Sequence, residues 1–196
     1  MMDISVPFDK KQPDSAGNIH NITIDVVRNR TELDMAFQLR QDIFVNEKKI
    51  PYEKEFDGND FTSTHILAKC DKQPAGTLRI RCFKDFAKME RLCVHPQFRK
   101  HSIAKYLLDY TQFYLIQKGY TYFIGYILSS LKDFWCARGF QIDKSQPEVK
   151  VGAQTLLPCI YQFPPQRIAQ HKAKINLLAT ESYAQKYQVR TNSPTE

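Results

Sequence analysis

Apolar and polar residues alternate over positions 22–27, with Ile22, Ile24 and Val26 in step, the period of a half-buried strand. Thr31-Glu32-Leu33-Asp34 follows, a threonine cap with an acid three residues on. It opens a predicted helix whose apolar stripe is Leu33, Ala36, Phe37, Ile43 and Phe44. Pro51 and the polar stretch to Asp60 predict a loop. Residues 65–69 and 76–81 read as two strands joined by the turn Asp71-Lys72-Gln73-Pro74, and 89–94 as a short strand stopped by Pro96. From 99 to 118, Ile103, Leu107, Tyr110 and Tyr114 recur at helical spacing, and Gly119 closes the helix. A strand at 122–127 precedes Ser130, a cap with Asp133 three residues on, and the helix it opens ends at Gly139. A last strand spans 156–163. After Pro164-Pro165, a weakly amphipathic stretch carrying Ile168, Ile175 and Leu178 predicts an added C-terminal helix. The order β-α-β-β-β-α-β-α-β predicts an α/β sandwich on a mixed, mostly antiparallel sheet. Residues 1–20 read as a tail, 21–164 as one domain and 165–196 as a helical extension.

Composition agrees with this picture. At 196 residues the chain suits a single domain plus tails, and 42% hydrophobic with 25% charged residues excludes a disordered or fibrous protein. The net charge of +7 favours phosphorylated ligands, acidic proteins, nucleic acid or acidic membranes as partners. No basic motif interleaved with aromatics occurs, so nucleic acid is the weakest of these. Cys70, Cys82, Cys93, Cys136 and Cys159 are odd in number and widely spaced. That argues against a disulfide framework and a structural zinc site, and for buried thiols in a reducing compartment. With no apolar leader and no run long enough to span a bilayer, the expectation is a cytoplasmic protein.

The richest segment for chemistry runs Leu92-Cys93-Val94-His95-Pro96-Gln97-Phe98-Arg99-Lys100-His101-Ser102-Ile103-Ala104. A buried strand enters a turn that leads straight into a long helix. The first turn of a helix leaves backbone N–H groups unpaired at the positive end of its dipole, a ready seat for phosphate. Ser102 and Ala104 are small enough to let a pyrophosphate approach, and Arg99, Lys100 and Lys105 add charge.

This segment resembles motif A of the GNAT acyltransferase superfamily, V-x-P-x-x-[RQ]-x-x-G-x-[GA], from Val94 through Pro96, Arg99 and Ser102 to Ala104. Phe134-Trp135-Cys136-Ala137-Arg138-Gly139-Phe140 is similar to the family's second motif, F-Y-x-x-x-G-F. The resemblance covers residues 22–163. It implies a GNAT-like fold with two splayed central strands and flanking helices. It also implies acetyl-CoA or another acyl-CoA as donor, used without a metal or a covalent intermediate. The pyrophosphate would meet the backbone of Lys100, His101, Ser102, Ile103, Ala104 and Lys105. The pantetheine arm would lie along Leu92, Cys93 and Val94, with Arg99 and Phe134 nearby. A backbone N–H on the splayed strand would stabilise the tetrahedral oxyanion.

Two departures from the pattern stand out. Ser102 replaces the first motif glycine, and Trp135 replaces the tyrosine that usually protonates the leaving thiolate, a role indole cannot fill. Tyr126, Tyr161, Cys136 and water are the candidate substitutes, Tyr126 foremost, and Glu90 is the candidate base.

Arg40, Phe44 and Glu47 precede the acidic run Glu55-Phe56-Asp57-Gly58-Asn59-Asp60, then His65 and Arg79. This layout resembles the small ElaA-like acetyltransferases and is similar to acyl-homoserine lactone and N-acyl amino acid synthases. Arg40, Glu55, Asp57, Asp60 and Arg79 are therefore candidate substrate-binding residues, with the carboxylates drawing in a cationic amine. The alternative is that the acids pair with Arg40, Arg79 or Arg81 and order the loop. Lys84, Lys88, Arg91, Arg99, Lys100 and Lys105 suit either the CoA phosphates or an acidic acyl carrier protein. The expected activity is acyl transfer to the amine of a small molecule, by a monomer or homodimer. The alternatives are a long-chain N-acyl amino acid or signal synthase and a non-catalytic CoA-binding module.

Overall fold

The computed structural model describes residues 8–13, 19–152 and 154–172. Strands β1 (Phe8–Pro13) and β2 (Ile19–Val26) lead into helix α1 (Arg30–Arg40). That helix runs on as a wider π-helical stretch, Gln41–Glu47, and then the short helix α2 (Tyr52–Glu55). Strands β3 (Thr64–Cys70), β4 (Gln73–Cys82) and β5 (Ala87–Val94) follow, and then helix α3 (Ile103–Gln117). Next come β6 (Tyr122–Leu128), helix α4 (Lys132–Cys136), and β7 (Gln141–Ile142). The order closes with β8 (Val149–Val151), β9 (Gln154–Gln162) and helix α5 (Pro165–Lys172). Among the described residues no helix is long and apolar enough to cross a membrane.

All nine strands join one sheet, ordered β1-β2-β3-β4-β5-β6-β9-β7 with β8 also on β9. Every pairing is antiparallel except β5 with β6. The mixed, mostly antiparallel α/β architecture expected from sequence is present. Strand alternation sorts the two faces: Ile22, Ile24, Ile66, Ala68, Leu78 and Ile80 pack with Ile103 and Leu107 of α3. On the opposite face Leu67 and Cys93 meet Ala36, Leu39 and Ile43 of α1 and its continuation. Gly76 lets α3 sit this close, because a Cβ there would lie 2.9 Å from both the Cys93 carbonyl and the Ile103 side chain.

Several boundaries differ from expectation. Residues 8–13, placed in the tail, form a strand against β2, with Gln12 opposite His20. Asn29 caps α1 in place of Thr31, its side chain accepting from Glu32 N at 2.9 Å. Helix α3 begins at Ile103 because Ser102 is left-handed (φ 56°). Ser130 makes no cap, and α4 starts two residues later. Cys82 and Cys136 are exposed, whereas Cys70, Cys93 and Cys159 are buried as predicted. Helix α5 carries Ile168 against the core. Ile175 and Leu178 lie outside the described residues.

Candidate active site

Two local features open the sheet. Pairing of β4 with β5 slips between Thr77 and Arg79, and Arg91 at the slip is left-handed (φ 56°). Such a bulge bends its strand and sharpens the local twist. The parallel pairing of β5 with β6 then ends at Met89 opposite Gly125, the third of three residue pairs. Beyond that point the strands diverge, and the β5 edge from Glu90 to Val94 faces a cleft of about 680 Å³ instead of a partner.

Leu92, Cys93, Val94, Arg99, Ala104 and Phe134 of the predicted donor set line this cleft. Ile103 is buried in the core, so only its backbone is available to a ligand. Lys100, His101 and Ser102 form the turn leading into α3. Tyr106 N pairs with the Ser102 carbonyl at 3.1 Å, so the amides from Ser102 to Lys105 are the unpaired donors of the helix start, whereas the predicted His101 amide already donates to the Phe98 carbonyl at 3.0 Å. Two predicted cations are already engaged. Lys105 pairs with Asp109 at 2.6 Å, and Arg99 with Glu47 at 2.6 Å across the cleft mouth. The Cys93 thiol is pushed up to about 12 by burial, which leaves it a packing group, not a nucleophile.

On the far wall Tyr126 is 38% exposed, one residue past the last β5–β6 pair, with Lys88 Nζ 5.7 Å from its ring centroid. Trp135 packs edge-on to Phe140 with its Nε1 buried and unpaired among the described residues. The other side chains proposed as acids are ill placed. Tyr161 is buried and donates to Gln112 Oε1 at 3.2 Å, and Cys136 is exposed and outside the cleft lining. The walls continue in Leu128, Leu131, Val149, Val151 and Leu156. Sequence reading missed the β8 contribution, since Val149-Lys150-Val151 is too short a pattern to signal a strand.

Glu90 does not have the surroundings of a base. Its Oε1 meets Lys88 Nζ at 2.7 Å and its Oε2 meets Arg79 Nη2 at 2.7 Å. Burial pushes its carboxyl up, but Lys88 and Arg79 outweigh burial and hold it below its ordinary value. A carboxylate so stabilised is a poor proton acceptor.

The predicted substrate-binding set is corrected as well. Arg40 and Arg79 are 0% exposed and Asp60 7%, out of reach of an incoming amine, whereas Glu55, 1% exposed, touches the cleft wall but is committed to Arg40 and Arg91. Arg40 bridges Glu55 (Nε–Oε1 2.6 Å) and Asp60. Arg79 reaches Asp57 at 2.8 Å, Asp60 at 2.9 Å and Glu90. Arg91 closes the ring on Glu55 Oε2 at 2.8 Å. The loop-ordering alternative is therefore the one observed, with Arg91 in the place suggested for Arg81. Arg79 holds Asp57 well below the usual carboxylate range. Burial dominates at Glu55 and raises it despite Arg91 and Arg40.

Comparison with known proteins agrees with this geometry. Residues 62–142 match the sequence profile described as "Acetyltransferase (GNAT) domain". The uncharacterized protein YyaT of Bacillus subtilis (strain 168) is 28% identical over 128 residues, covering 63% of this chain and 86% of YyaT. Among solved structures, Escherichia coli ElaA shares the fold at a TM-score of 0.65 and 18% identity, over 72% of this chain and 99% of ElaA. An acyl-CoA N-acyltransferase from Pseudomonas aeruginosa does so at 0.64 and 19%, over 72% and 99%. A GNAT family acetyltransferase from Elizabethkingia anophelis, solved with acetyl-CoA bound, superposes at 0.55 with 12% identity, over 72% and 98%.

Proposed function

From the premise that this chain carries a GNAT acetyltransferase domain, we propose that it moves an acyl group from acyl-CoA to a primary amine of a small molecule. The observation carrying this reading is the divergence of β5 from β6 after Met89, which opens the 680 Å³ cleft beside the start of α3. A thioester arm fits along the free β5 edge, where extended backbone hydrogen-bonds a ligand as it would another strand.

The amides entering α3, with Lys100, hold the donor's pyrophosphate. Arg99 exchanges Glu47 for a phosphate oxygen, at little cost because the pair is half-exposed. A backbone N–H of the Glu90–Val94 edge stabilises the oxyanion as the amine attacks the thioester carbon. The C–S bond breaks, Tyr126 O–H delivers a proton to the departing thiolate, and the proton shed by the amine nitrogen passes through solvent in the open cleft to restore the phenol. Lys88, held by Glu90, stands beside Tyr126 and offsets the phenolate charge. Trp135 contributes an apolar wall and an N–H donor but no proton.

The first test is thermal unfolding against CoA, acetyl-CoA and longer acyl-CoAs. A ligand at a hundred times its dissociation constant adds about 2.7 kcal/mol, a clear shift in midpoint. A shift with both CoA and acetyl-CoA, followed by thiol release with an amine panel, is the expected result. No shift with any of them overturns the donor site. The apolar walls at Leu128, Leu131, Val149, Val151 and Leu156 favour a second reading, a long-chain acyl donor. Its mark is a shift that grows with chain length.

A further inference from the structure

A second cluster of reactive side chains lies outside the cleft lining, beside the turn that enters α3. His20, Cys70 and Asp71 each present one ligand atom, and these atoms lie within 4.8 Å of one another. Two separate parts of the chain build the cluster. His20 stands on β2 in step with Ile22 and Ile24. Cys70 ends β3 and is 1% exposed. Asp71 follows it at the turn into β4, where Asp71 and Lys72 are left-handed (φ 48° and 70°). The turn is tied to β2 at two points, Asp71 N to the Asn21 carbonyl and Asn21 N to Asp71 Oδ1, each 2.9 Å. His20 Nδ1 meets Asp71 Oδ2 at 2.6 Å.

Two further observations point to a ligand here. The His101 ring lies edge-on to His20 with centroids 5.1 Å apart, and its Nδ1 is buried without a hydrogen-bond partner among the described residues. Gln12, directly opposite His20 across the β1–β2 pair, has its Oε1 buried and unpaired in the same way. Opposed residues in an antiparallel pair share a face of the sheet. Buried polar atoms without partners are uncommon, and two of them flank one histidine.

We propose that His20, Cys70 and Asp71 bind a divalent transition ion of the zinc type, with His101 as the fourth ligand. The donor set selects the ion: imidazole and thiolate suit zinc, whereas magnesium and calcium want oxygens. Around tetrahedral zinc, nitrogen and sulfur ligands stand roughly 3.5 Å apart, so the cluster must contract by about an ångström. The ion takes the place of the proton shared by His20 and Asp71, and the Cys70 thiol proton leaves to solvent. Because His101 belongs to the turn between Arg99 and Ser102, the bound ion pins the turn to β2 and β3. On the donor-site reading above, it thereby tightens the hold on acyl-CoA.

The test uses the full chain carrying Cys82→Ser and Cys136→Ser, which removes the two exposed thiols. Zinc is titrated calorimetrically and cobalt by its thiolate charge-transfer absorption. The expected result is one equivalent bound, with a thiolate band that vanishes in Cys70→Ser. His20→Gln and Asp71→Asn should each weaken zinc by at least the roughly tenfold that even an outer-shell change costs. His20 and Asp71 are not core residues, so these two variants decide the matter if Cys70→Ser fails to fold. Absence of stoichiometric binding, or binding unchanged in His20→Gln, overturns the site. Neither readout depends on acyl-CoA. Loss of CoA binding without loss of zinc would overturn the donor reading and leave the metal site standing.

Discussion

His65 shows what burial does to a single titrating group. It is 4% exposed, with Nε2 3.1 Å from the Asp60 carbonyl and its ring edge-on to Phe37. Burial lowers its pKa from 6.5, against an opposing pull from Asp60, so the folded protein keeps the ring neutral. The unfolded chain therefore takes up the proton first as pH falls. The stability this residue contributes is complete above pH 6.5 and is lost as pH falls below that value through the lower pKa of the folded state. His65→Gln keeps a donor toward Asp60 and has nothing to titrate. Urea midpoints measured across and below pH 6.5 should fall less steeply for the variant than for the parent, and parallel curves would refute the assignment. Asp57, Asp60 and Glu90 act in the same direction further into acid, since each is held below its ordinary value. Glu55 has the opposite sign, because burial raises it and protonation returns some stability.

At the scale of elements, the entry to α3 carries a conflict between sequence and backbone. Ser102 occupies a left-handed conformation (φ 56°) that costs a residue with a Cβ about 1–2 kcal/mol. Ser102→Gly removes that strain and gives back about 0.4–1 kcal/mol through a freer unfolded chain, so the net effect is stabilising. At about 2–4 °C per kcal/mol for a chain of this size, the melting midpoint rises by a small, measurable step. Glycine also clears the Cβ from the proposed pyrophosphate seat, so CoA binds at least as tightly. Ser102→Val moves both quantities the other way, because a branched Cβ fits this conformation worst. A midpoint that falls in Ser102→Gly would show that the turn is not strained. The motif explains the position: where the family pattern has glycine, this chain needs a glycine-like backbone and supplies serine.

Across the whole molecule, the buried ionic ring joins parts that are far apart in sequence. Arg40 at the end of α1 holds Glu55 and Asp60. Arg79 on β4 shares Asp60 and takes Asp57 and Glu90, and Arg91 at the β5 bulge returns to Glu55. The ring fixes the acidic loop against the bulge, and thus the near wall of the cleft. Arg40→Met leaves two buried carboxylates short of their main partner, a loss of about 3–5 kcal/mol. Denaturant unfolding at neutral pH measures it, and a cost under about 1 kcal/mol would mean that Arg79 and Arg91 suffice. Such a ring contributes most to one defined loop geometry, because desolvation consumes much of its Coulombic gain.

The sequence alone determined the order of the main strands and helices, the mixed sheet, the alternation of β2 and the two spaced motifs. All of these rest on local periodicity and short-range turn chemistry. The strand at 8–13 was not legible, because an edge strand with one partner carries little alternation. The same holds for Val149-Lys150-Val151, three residues whose role is to wall the cleft. Roles that depend on partners were decided by the tertiary structure. Glu90, Arg40 and Glu55 carry the right chemistry for a site in the linear chain. Their distances of 2.6–2.8 Å to opposite charges turn them into framework. The reverse holds for His20, Cys70, Asp71 and His101, whose spacing suggests no metal site. Folding brings the first three within 4.8 Å and lays the ring of His101 beside His20. A local pattern reports which face a residue takes, whereas the charge that meets it is set by strand order and register. Those emerge only when the whole sheet is assembled.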